Sequence, residues 1–223
     1  MLHEISKPNT IRPENSPYNF IATFGSTTNN HIETFKRDTY FSTNMTEYAY
    51  DLKIPKQRVA VLIGKKGETK RQIEESTDTK LDIDSKEGEI LIKGEDALSL
   101  YTVRDIVRAV GRGFNPDIAL LLLKQDYSFE LVDIKEFVKE SHYERIRGRV
   151  IGKEGKSRKT IEELTECYIS VFGKTIAIIG EVENVSIARR AVESLLSGSP
   201  HSSVYKFLEK RRRRMKMDPD NRV

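Results

Sequence analysis

The stretch Val59-Ala60-Val61-Leu62-Ile63-Gly64-Lys65-Lys66-Gly67 decides how the chain is read, because its last five residues return as Ile151-Gly152-Lys153-Glu154-Gly155. The two copies stand 88 residues apart (152 − 64). The same offset lays Ile73-Glu74-Glu75-Ser76-Thr77 over Ile161-Glu162-Glu163-Leu164-Thr165 and Leu81-Asp82-Ile83 over Ile169-Ser170-Val171. Farther on, Ile92-Lys93-Gly94-Glu95 aligns with Ile178-Ile179-Gly180-Glu181 at an offset of 86 (180 − 94), so one turn is two residues shorter in the second copy. Blocks held in register at this distance indicate one supersecondary unit used twice.

Each copy can be read locally. Tyr48, Tyr50, Leu52 and Ile54 alternate as on a half-buried strand. Pro55 suits the first position of a helix, Arg58 to Ile63 continue it, and Gly64 must break it. A second helix opens after Gly67 and runs to about Thr77. Leu81 and Ile83, then Ile90 to Ile92 across the turn Ser85-Lys86-Glu87-Gly88, predict a hairpin. A longer helix closes the unit with Leu100, Val103, Ile106, Val107 and Val110 on one stripe. In the second copy the order is the same: a strand near Phe129 to Phe137, the Gly152 to Gly155 corner, and a tight type II′ turn at Phe172-Gly173-Lys174-Thr175. Its closing helix carries Val185, Ala188, Val192 and Leu195. Between the copies, Asn115 and Pro116 predict a capped helix through Ile118 to Leu123. That segment is too apolar for a free linker and is expected to pack against a domain and hold the two units in a fixed relation.

The expected organisation is therefore a segment 1–44, a first domain 45–112, a helical connector 113–127, a second domain 128–198, and a C-terminal helix with a basic tail 199–223. Residues 1–44 are rich in Asn, Thr and Ser and read as a disordered tail. Met45, just before the first strand, suggests instead a gene-model artefact with translation starting there. Val204, Phe207 and Leu208 predict a helix leading into Lys210-Arg211-Arg212-Arg213-Arg214, read as a solvated tail that adds unspecific phosphate contacts.

Composition sets outer limits. The chain has 223 residues, 32% charged and 37% hydrophobic, with a net charge of only +4. So mild a basic bias puts the weight on where Lys and Arg fall. Cys167 is the sole cysteine and the four histidines are scattered, which excludes an internal disulfide and predicts no metal site. No apolar run approaches the ~20 residues of a membrane span, and the expectation is a cytoplasmic protein without cofactor.

The chemistry sits at the glycine corners. Glycine permits positive φ and presents no Cβ, so backbone can approach a ligand, and the helix that follows offers its first amides and the positive end of its dipole to a phosphate. Candidate phosphate-binding residues are Arg58, Gly64, Lys65, Lys66, Gly67, Lys70 and Arg71 at the first corner. At the second they are Arg147, Arg149, Gly152, Lys153, Glu154, Gly155, Lys156, Arg158 and Lys159. Glu154 stands where the first copy has Lys66, and Arg147 and Arg149 offset it.

The pattern resembles the KH domain, whose Gly-x-x-Gly loop clamps the backbone of about four nucleotides while an adjacent groove reads unstacked bases. The resemblance implies an α+β chain of two tandem eukaryotic-type (type I) KH domains, each a three-stranded antiparallel sheet packed against three helices. By the same resemblance the groove floors would use Val61, Leu62, Leu81 and Ile83, then Val150, Ile151, Ile169 and Val171. The two corner stretches, with Gly113-Phe114-Asn115-Pro116-Asp117-Ile118-Ala119-Leu120 between them, resemble a narrower group over roughly Met45 to Leu196. It is the archaeal pre-ribosomal KH family, counterpart of the eukaryotic "partner of Nob" assembly factor. That likeness implies binding near the 3′ end of small-subunit ribosomal RNA during maturation. The trimming endonuclease and the alpha subunit of archaeal initiation factor two are the implied partners.

Other readings carry less. Gly152-Lys153-Glu154-Gly155-Lys156-Ser157 ends like a P-loop, but the glycine needed five positions before Gly155 is Val150. Asp82 and Asp84 alternate on a hairpin and read as its solvent face, and Cys167 reads as a small core residue of a strand rather than a nucleophile. Nothing supports catalysis. An adaptor of an RNA-degrading complex would usually bring a second RNA-binding barrel domain. A protein-interaction scaffold would not need both glycine corners.

Overall fold

The sequence repeat is a repeat of folded units in the computed structural model, which describes residues 20–22 and 48–217. After a short β1 (Phe20–Ala22), the first unit runs β2 (Tyr48–Lys53), α1 (Lys56–Ile63), α2 (Glu68–Thr77), β3 (Thr79–Asp84), β4 (Glu89–Gly94) and α3 (Ala97–Gly111). The connector holds α4 (Pro116–Ala119) and a 3-10 turn, Leu120–Leu123. The second unit runs β5 (Tyr127–Asp133), α5 (Tyr143–Ile151), α6 (Lys156–Thr165), β6 (Tyr168–Phe172), β7 (Thr175–Glu181) and α7 (Val182–Leu196), followed by α8 (His201–Met217). In each unit the last strand is central and antiparallel to both neighbours, with orders β2-β4-β3 and β5-β7-β6, and three helices cover one face. This is the tandem type I arrangement. β1 adds a fourth, edge strand to the first sheet, with Phe20 opposite Tyr50. The remainder of the segment 1–44, and with it Met45 as a start, lies outside the described residues.

The matched block Ile-Glu-Glu-x-Thr is explained by what it does at the end of α2 and α6. Ile73 and Ile161 are fully buried. The Glu74 carboxylate accepts from the Leu81 amide at 2.7 Å, as Glu162 does from Ile169 at 2.8 Å. The hydroxyls of Thr77 and Thr165 donate to the carbonyls of Ile73 and Ile161, each at 2.7 Å. These glutamates therefore pin each second helix to the strand that follows it.

Several local expectations shift. Pro55 is the residue before α1, not its first member. The strand expected to reach Phe137 stops at Asp133, whose carboxylate accepts from the Lys135 amide and turns the chain into a 3-10 helix. Asn115 precedes Pro116 as expected, but its side chain donates to Asp117 instead of capping the helix. Gly173, at φ 58, carries the tight turn between β6 and β7, while Lys174 keeps a negative φ. Cys167 lies just before β6, buried against Gly180. The basic run 210–214 is part of α8, not a mobile tail, because Val204 and Leu208 anchor that helix in the second core.

The connector joins the units. Phe114, Ala119 and Leu122 are buried in one cluster with the first core and with Ala177 and Ile179 from the outer face of β7. The Ser170 hydroxyl donates to the Arg112 carbonyl at 2.8 Å, and the Arg108 guanidinium lies 5.6 Å from the centre of the Phe129 ring. Hence β7 is buried on both faces from Ile176 to Gly180, whereas β4 alternates between buried and part-exposed residues.

Candidate nucleic-acid interface

The two corners share one backbone. Gly64 has φ 74 and ψ 178, and Gly152 has φ 73 and ψ 173. This is a conformation open essentially to glycine alone. The residues at the third corner position are left-handed, Lys66 at φ 53 and Glu154 at φ 55. The closing glycines, Gly67 at φ 77 and Gly155 at φ 76, start α2 and α6. Within this shared path the glycines divide the work. A Cβ on Gly64 would stand 2.8 Å from the Thr69 amide nitrogen, and one on Gly152 would stand 2.6 Å from that of Ser157, so the first glycine lets the two helices close. A Cβ on Gly67 or Gly155 would meet nothing within 4 Å, so the second glycine faces open space.

The amides are not all free. Gly67 N–H donates to Gly64 O at 3.3 Å, Gly155 N–H to Gly152 O at 3.2 Å, and the Glu68 and Lys156 amides turn back onto Lys65 and Lys153. What each corner presents outward is the bare face of its second glycine and the exposed side chains at its second and third positions. Those are Lys65 and Lys66 in one unit and Lys153 and Glu154 in the other.

The cations sort into three groups. Among the described residues, Lys65, Lys66, Lys153, Lys156 and Lys159 pair with no carboxylate, and Arg71 donates to the Lys66 carbonyl across the corner at 3.3 Å. Lys70 pairs with Glu74 at 3.7 Å, Arg158 with Glu162 at 3.8 Å and Arg147 with Glu144 at 2.5 Å, partly exposed contacts that a phosphate can compete for. Arg58 and Arg149 leave the list of phosphate contacts. The Arg58 fork donates to Val110 O at 2.8 Å and Phe114 O at 2.5 Å, and burial lowers its pKa from the ordinary guanidinium value. Arg149 donates to Leu195 O at 3.4 Å and Ser199 O at 2.7 Å. Both arginines thus tie the first helix of a unit to the last turn of its closing helix, at Val110 and Leu195, and to the chain just beyond it, at Phe114 and Ser199. They do so from positions that the 88-residue offset does not superpose, which is why the repeat did not reveal the role.

The groove floors are narrower than expected. Leu62, Leu81, Val150 and Ile169 are buried in the cores, leaving Val61 and Ile83, then Ile151 and Val171, as the part-exposed apolar residues beside the corners. Among the described residues no group of three His, Cys, Asp or Glu could hold a metal, and no helix is long and apolar enough to cross a membrane. Burial pushes the Cys167 thiol up to about 11.

Comparisons with known proteins agree with this geometry. A family model described as eukaryotic-type KH domain (KH-domain type I) matches residues 128–213, and a KH-domain model matches residues 50–109. A KH domain-containing protein of Methanocaldococcus jannaschii is 52% identical over 170 residues, which is 74% of each chain. The pre-rRNA-processing protein pno1 of Aspergillus fumigatus is 36% identical over 125 residues, 54% of this chain and 50% of its own, so the chain spans half the length of that relative. A solved structure titled as an a/eIF2alpha–aDim2p–rRNA complex from Pyrococcus horikoshii OT3 contains a chain with 45% identity and a TM-score of 0.71, covering 75% of this chain and 96% of its own. The chain belongs to the family of tandem KH-domain, RNA-binding proteins of the pre-ribosome that links these archaeal proteins to eukaryotic pno1.

Proposed function

We propose that the protein binds single-stranded RNA at the 3′ region of small-subunit ribosomal RNA during ribosome maturation, through both Gly-x-x-Gly corners and without catalysis of its own. One observation carries the reading: the same strained corner is built twice, each time with its second glycine open and unpaired lysine beside it. A purely structural repeat would need the first glycine of each pair, which lets the helices close, far more than the second, where only the left-handed φ favours glycine. Phosphates lie against the second glycine and its lysines, and bases lie along the part-exposed apolar strip beside it. Two linked sites on one chain raise affinity and set spacing along the strand. The relatives supply the RNA and a partner. Ribosomal RNA and the alpha subunit of initiation factor two share a crystal with the Pyrococcus protein, and the Aspergillus relative is named for pre-rRNA processing. The trimming endonuclease belongs to the same proposal, and its setting is the cytoplasm.

The test is fluorescence anisotropy with a labelled single strand matching the host's small-subunit 3′ end and with a scrambled strand of the same composition. The reading expects at least tenfold preference for the ribosomal strand. Equal binding to both would leave an RNA adaptor without the ribosomal address.

A further inference from the structure

We infer a second RNA-contact site in the groove between α7 and α8, on the face of the second domain formed by its last two helices. The groove has a volume of about 380 Å³ and is lined by Ser186, Ile187 and Arg190 from α7 and by Phe207, Lys210, Arg211 and Arg214 from α8. Four of these seven side chains are cationic, and among the described residues none of the four has a carboxylate within ion-pair distance. Arg212, on the adjoining face of the same helix, is held by Glu166 at 4.0 Å. Phe207 is 37% exposed, and the Arg190 guanidinium lies 5.3 Å from its ring centre. Cations flanking an exposed aromatic floor are the elements that hold a single strand, with phosphates on the arginines and lysine and a base stacked on the ring.

α8 begins beside the second corner and leads away from it. His201, the first residue of α8, lies 2.9 Å from the Arg149 carbonyl, three residues before Gly152, and Arg212 meets Glu166 at the far end of α6. The helix therefore runs beside α6 away from the corner, and Lys210 lies nine residues, or about 14 Å, along it. The groove opens on the side of α8 turned from α6, so a strand held at the corner has to travel that distance and pass round the helix to enter it, and only a longer strand spans both. The inference rests on the RNA-binding reading above, though not on the corners themselves.

The experiment uses the full chain with two single strands: one of about six nucleotides, enough for a KH groove, and one of about sixteen. Lys210→Gln, Arg211→Gln and Arg214→Gln together remove exposed charge and keep good helix formers. Affinity for the long strand should fall about tenfold and its salt slope by about 2, from three phosphate contacts at ~0.7 each, with the short strand unaffected. Phe207→Leu, which keeps apolar packing, should weaken the long strand about fivefold with no change in salt slope. Lys153→Asp with Glu154→Asp should weaken both strands. A triple variant that binds the long strand with wild-type affinity and slope overturns the groove. Loss in the triple variant with none in the corner variant would sustain the groove and sink the corner instead.

Discussion

The two domains share a backbone and differ in what covers it. In the first, the outer face of the sheet carries part-exposed ion pairs, Lys53–Glu89 and Lys93–Asp82 at 3.1 Å each, and is open among the described residues. In the second, the same face is buried under the connector and the first domain, through Ala177 and Ile179. The corners repeat the lesson on a smaller scale, with equal dihedral angles and Lys66 facing solvent in one but Glu154 in the other. Fold is thus duplicated faithfully where glycine geometry and core contacts demand it. Charge has been left free to diverge at positions that touch only solvent or ligand.

The sharpest way to break that comparison is at the first glycines. Gly64→Ala and Gly152→Ala should each cost about 3 kcal/mol or more, since strain in a glycine-only region adds to overlap with the following helix. Gly67→Ala and Gly155→Ala should cost about 1 kcal/mol while weakening RNA, because only the left-handed penalty remains. Urea unfolding separates the two pairs, and equal costs within a pair would show that the division of labour is common to both domains.

Next come the clamps. Arg58→Ala and Arg149→Ala should each lose about 1–2 kcal/mol, a charged-donor hydrogen-bond loss discounted for partial exposure. Lysine should not restore it, because a point ammonium cannot reach both carbonyls as the fork does. RNA affinity of the folded protein should stay within twofold, whereas a large drop with the salt slope lowered by about 0.7 would return these arginines to the interface.

A smaller effect sharpens the charge asymmetry. Glu154→Lys should tighten RNA and raise the salt slope by about 0.7, and Lys66→Glu should do the reverse. Titration at several salt concentrations reads both.

The smallest effect is chemical. At the 88-residue offset Cys167 replaces Thr79, and each packs on a glycine of the central strand. Burial raises the thiol from its ordinary 9.0 to about 11, so the folded protein holds its proton more tightly than the unfolded chain. The stability it contributes is complete below pH 9.0 and declines as pH rises toward 11. Iodoacetamide at pH 8 should leave the native thiol unmodified and label it after unfolding, as followed by intact mass.

Much of this was legible in the sequence. The Ile-Gly-x-x-Gly repeat, the Ile-Glu-Glu-x-Thr block and the periodic stripes located the α-helices and strands of both units except β1, but not the 3-10 turns after β5. They did so because each repeated residue has a local job that the repeat itself advertises. The roles of Arg58 and Arg149 were hidden, since each depends on carbonyls 46 to 56 residues away and the two do not align with one another. The two-sided burial of β7 left a signal in the unbroken apolar run Ile176-Ala177-Ile178-Ile179, against the alternating Ile90-Leu91-Ile92-Lys93 of the first copy. The groove between α7 and α8 left none, because its two walls are distant in the chain and its cations read as an ordinary basic tail.

The central claim is that both corners hold RNA. The most direct test compares wild type with Lys65→Asp/Lys66→Asp, with Lys153→Asp/Glu154→Asp, and with all four changes together. Aspartate suits the left-handed third position and should leave thermal unfolding unaltered. Anisotropy with the ribosomal 3′ strand should show at least a tenfold loss for each pair and loss of sequence preference for the four together. A fourfold-substituted protein that folds and binds that strand as the wild type does would contradict the account.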